Sequence, residues 1–590
     1  MWTSKPLGQN RKSRWIASTL GFGILAKGGN AFDAAVATAL VLQVVEPHLN
    51  GPAGDLPIIY HNAEKSETKV ICAQGVAPAA ATIEHYKAQG LTLIPGSGLL
   101  ATVVPGAFDG WLLLLRDHGT MSLREVLQPA VDYARDGHPM LPRVANTIAS
   151  LSDYFAKEWP TSADVWTPNG VAPKAHELFK NPDLAATYQR LIDDSEAAGG
   201  ARDAQIDAAR KAWSEGFIAD AIVDYLETAE VHDVSETKNR GVLSRDDMAN
   251  WSATYEDTLS YDYEGWTVHK TAPWSQGPVL LQTLAILKHF DLSSMDPMGE
   301  EFVHTVIEAM KLAYADREAY YGDPDHSDIP MDTLLSDAYN AERAALISDK
   351  ASLEQRPGRV AGFEHLADAY IKRAAQDFGV KDAAPQEPTM AHLTEKRGAT
   401  VHLAVIDRWG NMVSATPSGG WLQSNPVVPG LGFPLNSRAQ MFWLTPGLPT
   451  SLEPGKRPRT TLTPTLAFHE DGSAMAFGTP GGDQQDQWQL AFFLRHVHHG
   501  LNLQEVIDQP LFHTTHFPSS FYPRSRQPGH IMIEETVGAE TLNALKARGH
   551  DMTIAEPWTI GRLTAAKRDN DGLLRAAATP RLMQAYAVGR

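Results

Sequence analysis

The segment Gly398-Ala399-Thr400-Val401-His402-Leu403-Ala404-Val405-Ile406-Asp407 places a threonine at the start of a β-rich run. Alone, such a threonine is by default a structural residue with a good strand propensity. If the bond between Ala399 and Thr400 were cut, however, the new terminus would carry both a hydroxyl and an α-amine. That amine titrates at about 7.7 to 8.0 and can take the hydroxyl proton. The segment therefore suggests a proenzyme whose nucleophile is Thr400.

The pattern that follows predicts two hairpins. Residues 400–407 and 412–416 read as strands around the turn Arg408-Trp409-Gly410-Asn411. Residues 466–469 and 474–478 do the same around Glu470-Asp471-Gly472-Ser473. We expect the two hairpins to meet near one site.

The sequence also predicts helices. Asn30 is a candidate N-cap, with Asp33 three residues later, for an alanine-rich helix. Apolar residues recur at helical spacing from Val303 to Tyr314, in a helix that should end near Gly322-Asp323-Pro324. Residues 183–236, rich in Ala, Asp and Glu, predict further helices away from the chemistry.

Six short motifs surround Thr400 in a fixed order. They are Ala26–Leu40 with Val45-Glu46-Pro47-His48, Val104-Pro105-Gly106, Ile307–Arg317 with Gly322-Asp323-Pro324, Gly455-Lys456-Arg457-Pro458, Thr463-Pro464-Thr465, and Gly478-Thr479-Pro480-Gly481-Gly482. In this order, and over nearly the whole chain, they resemble the γ-glutamyltransferase family of N-terminal-nucleophile hydrolases. No single motif is decisive.

The resemblance implies a fold, a maturation step and a reaction. The fold is α/β (α+β), a four-layer αββα sandwich. The chain would be cut into a large piece, residues 1–399, and a small piece, residues 400–590, which stay together as a heterodimer. Thr400 would then attack a small-molecule amide, γ-glutamyl or related, and form an acyl-enzyme that water or an amine resolves. This chemistry needs no metal and no organic cofactor.

The resemblance also implies site residues. Gly481 and Gly482 match the family's oxyanion hole, where glycine lets backbone N–H groups approach closely. Ser418 and Thr416 match hydroxyls that orient the nucleophile. Thr460 and Thr461 match a pair that contacts the substrate carboxylate. Without the resemblance, the glycines read as an ordinary turn and the hydroxyls as structural.

Three substrate-binding positions depart from the family pattern. Gln74 stands where the family has the arginine that clamps the α-carboxylate, so the bidentate partner is missing. Met441 replaces the acid that binds the α-amine, and Arg438 replaces a glutamine and would repel an ammonium group. These changes suggest an acyl group with a carboxylate but no α-amine, as in the cephalosporin (glutaryl) acylases and oxamate amidohydrolases of the superfamily. A non-catalytic scaffold is a further alternative.

Composition limits the other functions. A net charge of -19 over 590 residues argues against nucleic acid as a partner. The single cysteine, Cys72, excludes an internal disulfide and a multi-cysteine zinc site. The start of the chain has no apolar h-region, and the run Ala34–Val45 is shorter than the roughly 20 residues of a membrane span. We expect a cytoplasmic protein without a membrane segment, or a periplasmic or secreted one if the true start is missing.

Two alternatives within the chain are set aside. Thr514-Thr515-His516 resembles the family's nucleophile triplet better than Thr400-Val401-His402, but no strand and hairpin are predicted after it. The histidines at 496, 498, 499, 513 and 516 lack a second cluster of acids that would complete a metal site.

Overall fold

The computed structural model describes residues 13–376, 400–581 and 585–589. Its two main sheets stack on each other, and helices cover both outer faces. This is the predicted four-layer αββα sandwich, which is confirmed. Within the described residues, no helix is both long enough and apolar enough to cross a membrane.

Nineteen α-helices are found in the described part of the chain, besides short 3₁₀ turns. They are α1 Ser13–Ala26, α2 Ala31–Val45, α3 Ile83–Ala88, α4 Ala107–His118, α5 Leu123–Asp136, α6 Pro142–Glu158, α7 Pro160–Trp166, α8 Pro182–Ala197, α9 Arg202–Ser214, α10 Phe217–Thr228, α11 Arg245–Ala249, α12 Pro278–Leu287, α13 Glu300–Tyr320, α14 Met331–Leu334, α15 Asp337–Ala344, α16 Glu364–Ala374, α17 Gln485–His499, α18 Leu503–Asp508 and α19 Ala539–Ala547.

The described strands are β1 Leu56–Asn62, β2 Glu67–Ala73, β3 His138–Pro139, β4 Leu178–Phe179, β5 Val231–His232, β6 Lys238–Asn239, β7 Thr254–Glu256, β8 Leu259–Tyr263, β9 Trp266–Lys270, β10 Leu403–Ile406, β11 Met412–Ala415, β12 Thr465–His469, β13 Ala474–Gly478, β14 Phe512–Thr514, β15 His530–Glu534, β16 Asp551–Ala555, β17 Thr564–Arg568 and β18 Leu574–Ala578. Sheet A has the order β10-β11-β1-β2-β7, and sheet B the order β18-β17-β13-β12-β9-β8.

Successive side chains along each strand of the two main sheets face different layers, one the helices and the next the other sheet. On sheet A, Ile58 and Ile71 face the helices, whereas Ile59 and Val70 face sheet B. On sheet B, Leu466 faces sheet A and its neighbour Ala467 faces α12, α13 and α17. Successive strand residues point to opposite faces, so each sheet buries both of its sides. The predicted hairpins are the pairs β10–β11 and β12–β13, one in each sheet.

The predicted helices are also present. Asn30 caps α2 through a capping box, because its side chain accepts from the backbone of Asp33 while the Asp33 carboxylate accepts from the Asn30 N–H. The helix predicted around residues 303–314 is α13, and almost all of it is buried. Residues 183–236 fold into α8, α9 and α10 on the helical side of sheet A.

Candidate functional site

Four polar residues line up across one end of sheet A. The register Leu403↔Ala415, continued by three residues, brings Thr400 opposite Ser418. Ser418 pairs with Asp55, and the register Leu56↔Ala73 brings Asp55 opposite Gln74. Directly opposed residues of antiparallel strands share a face. Thr400, Ser418, Asp55 and Gln74 therefore form one polar row on the face that looks toward sheet B.

Thr400 lies at the start of this row and is fully buried. Its Oγ1 is 3.1 Å from the Ser418 Oγ. The N–H of the next residue, Val401, donates to the carbonyl of Pro417 at 3.1 Å, which keeps the backbone in register with its neighbour. Ala399, on the other side of the bond proposed to be cut, lies outside the described residues.

Thr416 and His402 occupy the next position along the same face. The Thr416 backbone donates to Pro57, but its buried Oγ1 has no hydrogen-bond partner within residues 13–376, 400–581 and 585–589. The His402 ring contacts the Oγ1 of Thr564 at 2.7 Å and the Oγ of Ser414 at 3.1 Å. The structure thus places the Ser418 hydroxyl within hydrogen-bond distance of Thr400, whereas the Thr416 hydroxyl makes no hydrogen bond within the described residues.

The loop Thr479-Pro480-Gly481-Gly482 leaves the end of β13 on the same side of the sandwich. At Gly478, the last residue of β13, a Cβ would lie 2.3 Å from the His402 ring, so the strand end packs directly on the segment that begins at Thr400. Gly481 has a φ of 141°, and a Cβ there would meet the Trp488 ring at 2.3 Å. Glycine is therefore required at Gly481 both for its backbone angle and for space.

Arg438 reaches the polar row from a 3₁₀ turn, Arg438–Met441, in the loop before β12. Its Nε donates to Asp55 Oδ1 at 2.7 Å, and its guanidinium carbon lies 4.8 Å from the centre of the Trp421 ring. Both terminal nitrogens are buried and have no partner in the described part of the chain. An unpaired buried guanidinium edge is costly, and a carboxylate would satisfy it bidentately.

The Asp55 carboxyl group pairs with the Arg438 guanidinium. Burial raises the pKa of its carboxyl group, and the neighbouring Arg438 guanidinium opposes that rise. Its second oxygen, Oδ2, accepts from the Thr460 hydroxyl at 3.3 Å. Asp55 was not among the site residues predicted from the sequence. It can be found only from the strand register and from its contact with Arg438.

The other predicted binding residues fall into two groups. Thr461 and Gln74 are buried near the row, and Thr461 Oγ1 and Gln74 Oε1 find no partner within the described ranges. Gln74 does donate from Nε2 to the carbonyl of Gly75 at 3.3 Å. Met441 instead belongs to the apolar cluster between sheet A and its helices. Of the predicted binding residues, Thr460 is linked to Arg438 through Asp55, whereas Met441 packs as a core residue.

One group of potential metal ligands lies elsewhere, on α13 and before β16: His304, Glu308 and His550. The Nδ1 of His304 and the Nε2 of His550 share a hydrogen bond of 2.9 Å. The Glu308 carboxylate already accepts from Lys311 at 2.6 Å and from Arg356 at 3.1 Å. The two histidines bond to each other and Glu308 pairs with Lys311 and Arg356, so we assign no ion to this group.

The chain is similar to known proteins over nearly its whole length. The profile of the gamma-glutamyltranspeptidase family matches residues 17–589. The glutathione hydrolase proenzyme of Bacillus subtilis strain 168 is 30% identical and aligns over 94% of this chain and 87% of its own length.

Two solved structures are similar over nearly the whole chain. The structure of LmbA2991HD is 50% identical, with a TM-score of 0.90 and coverage of 100% of both chains. The cephalosporin acylase from Bacillus halodurans is 27% identical, with a TM-score of 0.79 and coverage of 98% of this chain and 97% of its own.

Proposed function

Because the chain belongs to the gamma-glutamyltranspeptidase family, an enzyme family of hydrolases and transferases, we propose that it matures by cutting itself between Ala399 and Thr400. The Thr400 hydroxyl attacks the Ala399 carbonyl, the C–N bond breaks, and the released amine takes a proton. Water then hydrolyses the ester, which leaves a carboxylate on Ala399 and a free amine on Thr400.

One observation carries this proposal: the Thr400 hydroxyl faces the Ser418 hydroxyl, 3.1 Å away, at the end of a buried polar row. A hydroxyl neighbour can hold the nucleophile in the orientation needed for attack. Buried polar groups are normally paired, and the unpaired groups of Thr416, Thr461 and Arg438 lie around this row. Such a set suits a bound polar substrate better than a purely structural core.

In turnover, the free Thr400 amine takes the hydroxyl proton while the oxygen attacks the substrate amide. The backbone N–H groups of Gly481 and Gly482 stabilise the oxyanion. The leaving amine then takes the proton, and the C–N bond breaks to give an acyl ester on Thr400. Water or an acceptor amine attacks this ester and releases the acyl group.

The acyl group is the part of the substrate that Arg438 recognises. Its two unpaired terminal nitrogens fit a carboxylate. Asp55, which binds the Arg438 Nε, lies two strands from Thr400, a distance of roughly 10 Å at the usual strand spacing. We therefore favour a short acyl group that is an amide at one end, near Thr400, and a carboxylate at the other, near Arg438.

A γ-glutamyl amide is the second candidate, and Asp55 is the observation that favours it. The Asp55 Oδ2 has the Thr460 hydroxyl, at 3.3 Å, as its side-chain partner, and this contact is long for a charged acceptor. An α-ammonium group could replace it while the α-carboxylate binds Arg438. The Asp55–Arg438 pair is neutral overall, so it would not repel a zwitterion.

The two fragments should remain associated after cleavage. In sheet A, β11 of the small fragment pairs with β1 of the large one, and in sheet B, β12 pairs with β9. Separating the fragments would expose both sheets and the apolar layer between them. We propose a large fragment, 1–399, and a small fragment, 400–590, in one heterodimer.

Three 4-nitroanilides test the substrate proposal: glutaryl, γ-glutamyl and butyryl. We expect the purified protein to cleave the glutaryl compound best and the butyryl compound worst, and Thr400→Ala to cleave none. Arg438→Gln should lower kcat/KM for the glutaryl compound by about 100-fold and change that for butyryl little, since only the former loses a bidentate partner. Equal losses for both compounds would contradict the role of Arg438. Cleavage by Thr400→Ala would contradict the nucleophile.

A further inference from the structure

Two motifs that lie 166 positions apart in the sequence meet behind the Gly481-Gly482 loop. Arg317, on α13, donates from one nitrogen to Asp483 Oδ1 at 2.6 Å and to Gln276 Oε1 at 2.7 Å. All three side chains are buried. Arg317 therefore connects Asp483, which follows the loop, to Gln276, which lies just before α12.

Gln276 extends this connection into the loop itself. Its Nε2 donates to the carbonyl of Gly482 at 3.2 Å. Tyr314, one turn before Arg317 on α13, donates from its hydroxyl to the carbonyl of Asp483 at 2.6 Å. The two peptide groups that follow Gly482 are thus held by Tyr314, on α13, and by Gln276, which Arg317 of α13 contacts.

The two peptide groups that would carry the oxyanion donors are held as well. The carbonyl of Gly481 accepts from the Gln484 N–H at 3.1 Å, and that of Pro480 accepts from the Thr479 hydroxyl at 2.8 Å. In a planar trans peptide the C=O and the N–H point in opposite directions. Fixing these carbonyls therefore fixes the directions of the Gly482 and Gly481 N–H groups.

Asp483 is the point where these restraints meet. Besides Arg317, its carboxylate accepts from the N–H of Ser520 at 2.8 Å and from its hydroxyl at 2.6 Å. Arg317 is held in turn between aromatic rings, with its guanidinium carbon 4.5 Å from the centre of Tyr314 and 4.9 Å from that of Phe517. Such a buried network of hydrogen bonds and ion pairs leaves the loop little freedom.

We propose that Arg317, Gln276 and Asp483 are positioning residues that aim the Gly481 and Gly482 N–H groups at the oxyanion. The proposal rests on the proposed function, because it takes these two N–H groups to be the oxyanion donors. An oxyanion donor contributes about 10² to 10³ in kcat, and its effect depends on preorganised geometry. We call Arg317, Gln276 and Asp483 the brace. Changes in the brace should therefore affect the chemical step strongly and substrate binding little.

The test uses two nearly isosteric variants. Gln276→Glu keeps an acceptor for Arg317 but loses the donor to the Gly482 carbonyl. Asp483→Asn keeps the size of the side chain but loses the charge that pairs with Arg317. We expect both to lower kcat for the best nitroanilide by about 10- to 100-fold and to leave KM within about twofold, because a misaimed loop weakens only transition-state binding.

Arg581→Lys serves as the matched control, since Arg581 pairs with Glu534 at 2.8 Å in an equally buried site outside this network. It should lower the Tm and leave kcat unchanged. If the brace variants lose only Tm, as the control does, the brace is structural and the proposal is wrong. A raised KM with an intact kcat in Gln276→Glu or Asp483→Asn would also overturn it.

Intact-mass analysis separates this failure from failure of the proposed function. If wild type forms an acyl adduct on the 400–590 fragment and the brace variants turn over at the wild-type rate, only the brace proposal fails. If wild type forms no such fragment or adduct, the proposed function itself fails.

Discussion

The segments Thr400-Val401-His402 and Thr514-Thr515-His516 have nearly the same sequence, but their threonine hydroxyls have different hydrogen-bond partners. The Thr514 hydroxyl donates to the carbonyl of His530 at 2.7 Å, and His516 contacts the carbonyl of Glu354 at 3.0 Å. The Thr400 hydroxyl faces another hydroxyl, at a sheet end where other buried polar groups are unpaired. The Thr514 hydroxyl therefore has a structural role, and the strand register that sets Thr400 opposite Ser418 distinguishes the two threonines.

The largest difference should appear when each threonine is replaced by alanine. Thr400→Ala should lower amidase activity by more than about 10⁴-fold, as loss of a nucleophile does. Thr514→Ala should retain activity but lose about 1–3 kcal/mol of stability, because the His530 carbonyl loses one of its two donors and the His516 N–H loses its acceptor. Nitroanilide kinetics and denaturant unfolding measure both effects. A catalytic loss in Thr514→Ala with unchanged stability would reverse the comparison.

Two glycines extend the comparison to the oxyanion loop. Gly481→Ala should lower kcat by about 10² to 10³, because the Cβ meets Trp488 and displaces the loop. Gly500 also has a positive φ, of 65°, but an added Cβ there has nothing within 4 Å. Gly500→Ala should therefore cost only about 1 kcal/mol of stability. Equal kcat values for the two variants would mean that the Gly481-Gly482 loop does not take part in catalysis.

Two buried serines give a smaller contrast. Ser418→Ala should lower kcat by about 10- to 100-fold, because Thr400 loses the hydroxyl that orients it. Ser424, six residues later in the same loop, donates to the carbonyls of Trp421 and Leu435. Ser424→Ala should affect unfolding and leave kcat unchanged. If Ser418→Ala behaves in the same way, Ser418 is structural too.

The smallest effect concerns pH and His516. Burial lowers the pKa of His516 to about 3, so the folded protein keeps it neutral. The unfolded chain takes up that proton below its ordinary pKa of about 6.5, and stability therefore falls as the pH drops from 6.5 toward 3. His516→Gln should reduce the loss of unfolding free energy between pH 7 and pH 5 by about 2 kcal/mol. An unchanged pH dependence would mean that His516 does not stay neutral in the fold.

The sequence predicted the two hairpins and the Asn30 cap from local patterns, whereas the four layers were implied by the family resemblance. It also placed Thr400, Ser418 and Arg438 among the candidates. It missed Asp55 and the brace around Asp483, because these contacts join segments up to 383 positions apart. Contacts between residues so far apart in the chain produce no periodic pattern in the sequence. Only the strand register shows that Asp55 lies in the row of Thr400.

Intact-mass analysis of the purified protein beside its Thr400→Ala variant tests the central claim most directly. Scaling 64.4 kDa by 399/590 and 191/590 gives fragments of about 44 and 21 kDa. Our account predicts both fragments in wild type, with the smaller one beginning at Thr400, and a single whole chain in Thr400→Ala. A folded wild-type protein that stays whole would contradict it, as would a Thr400→Ala variant that is cut at the same bond.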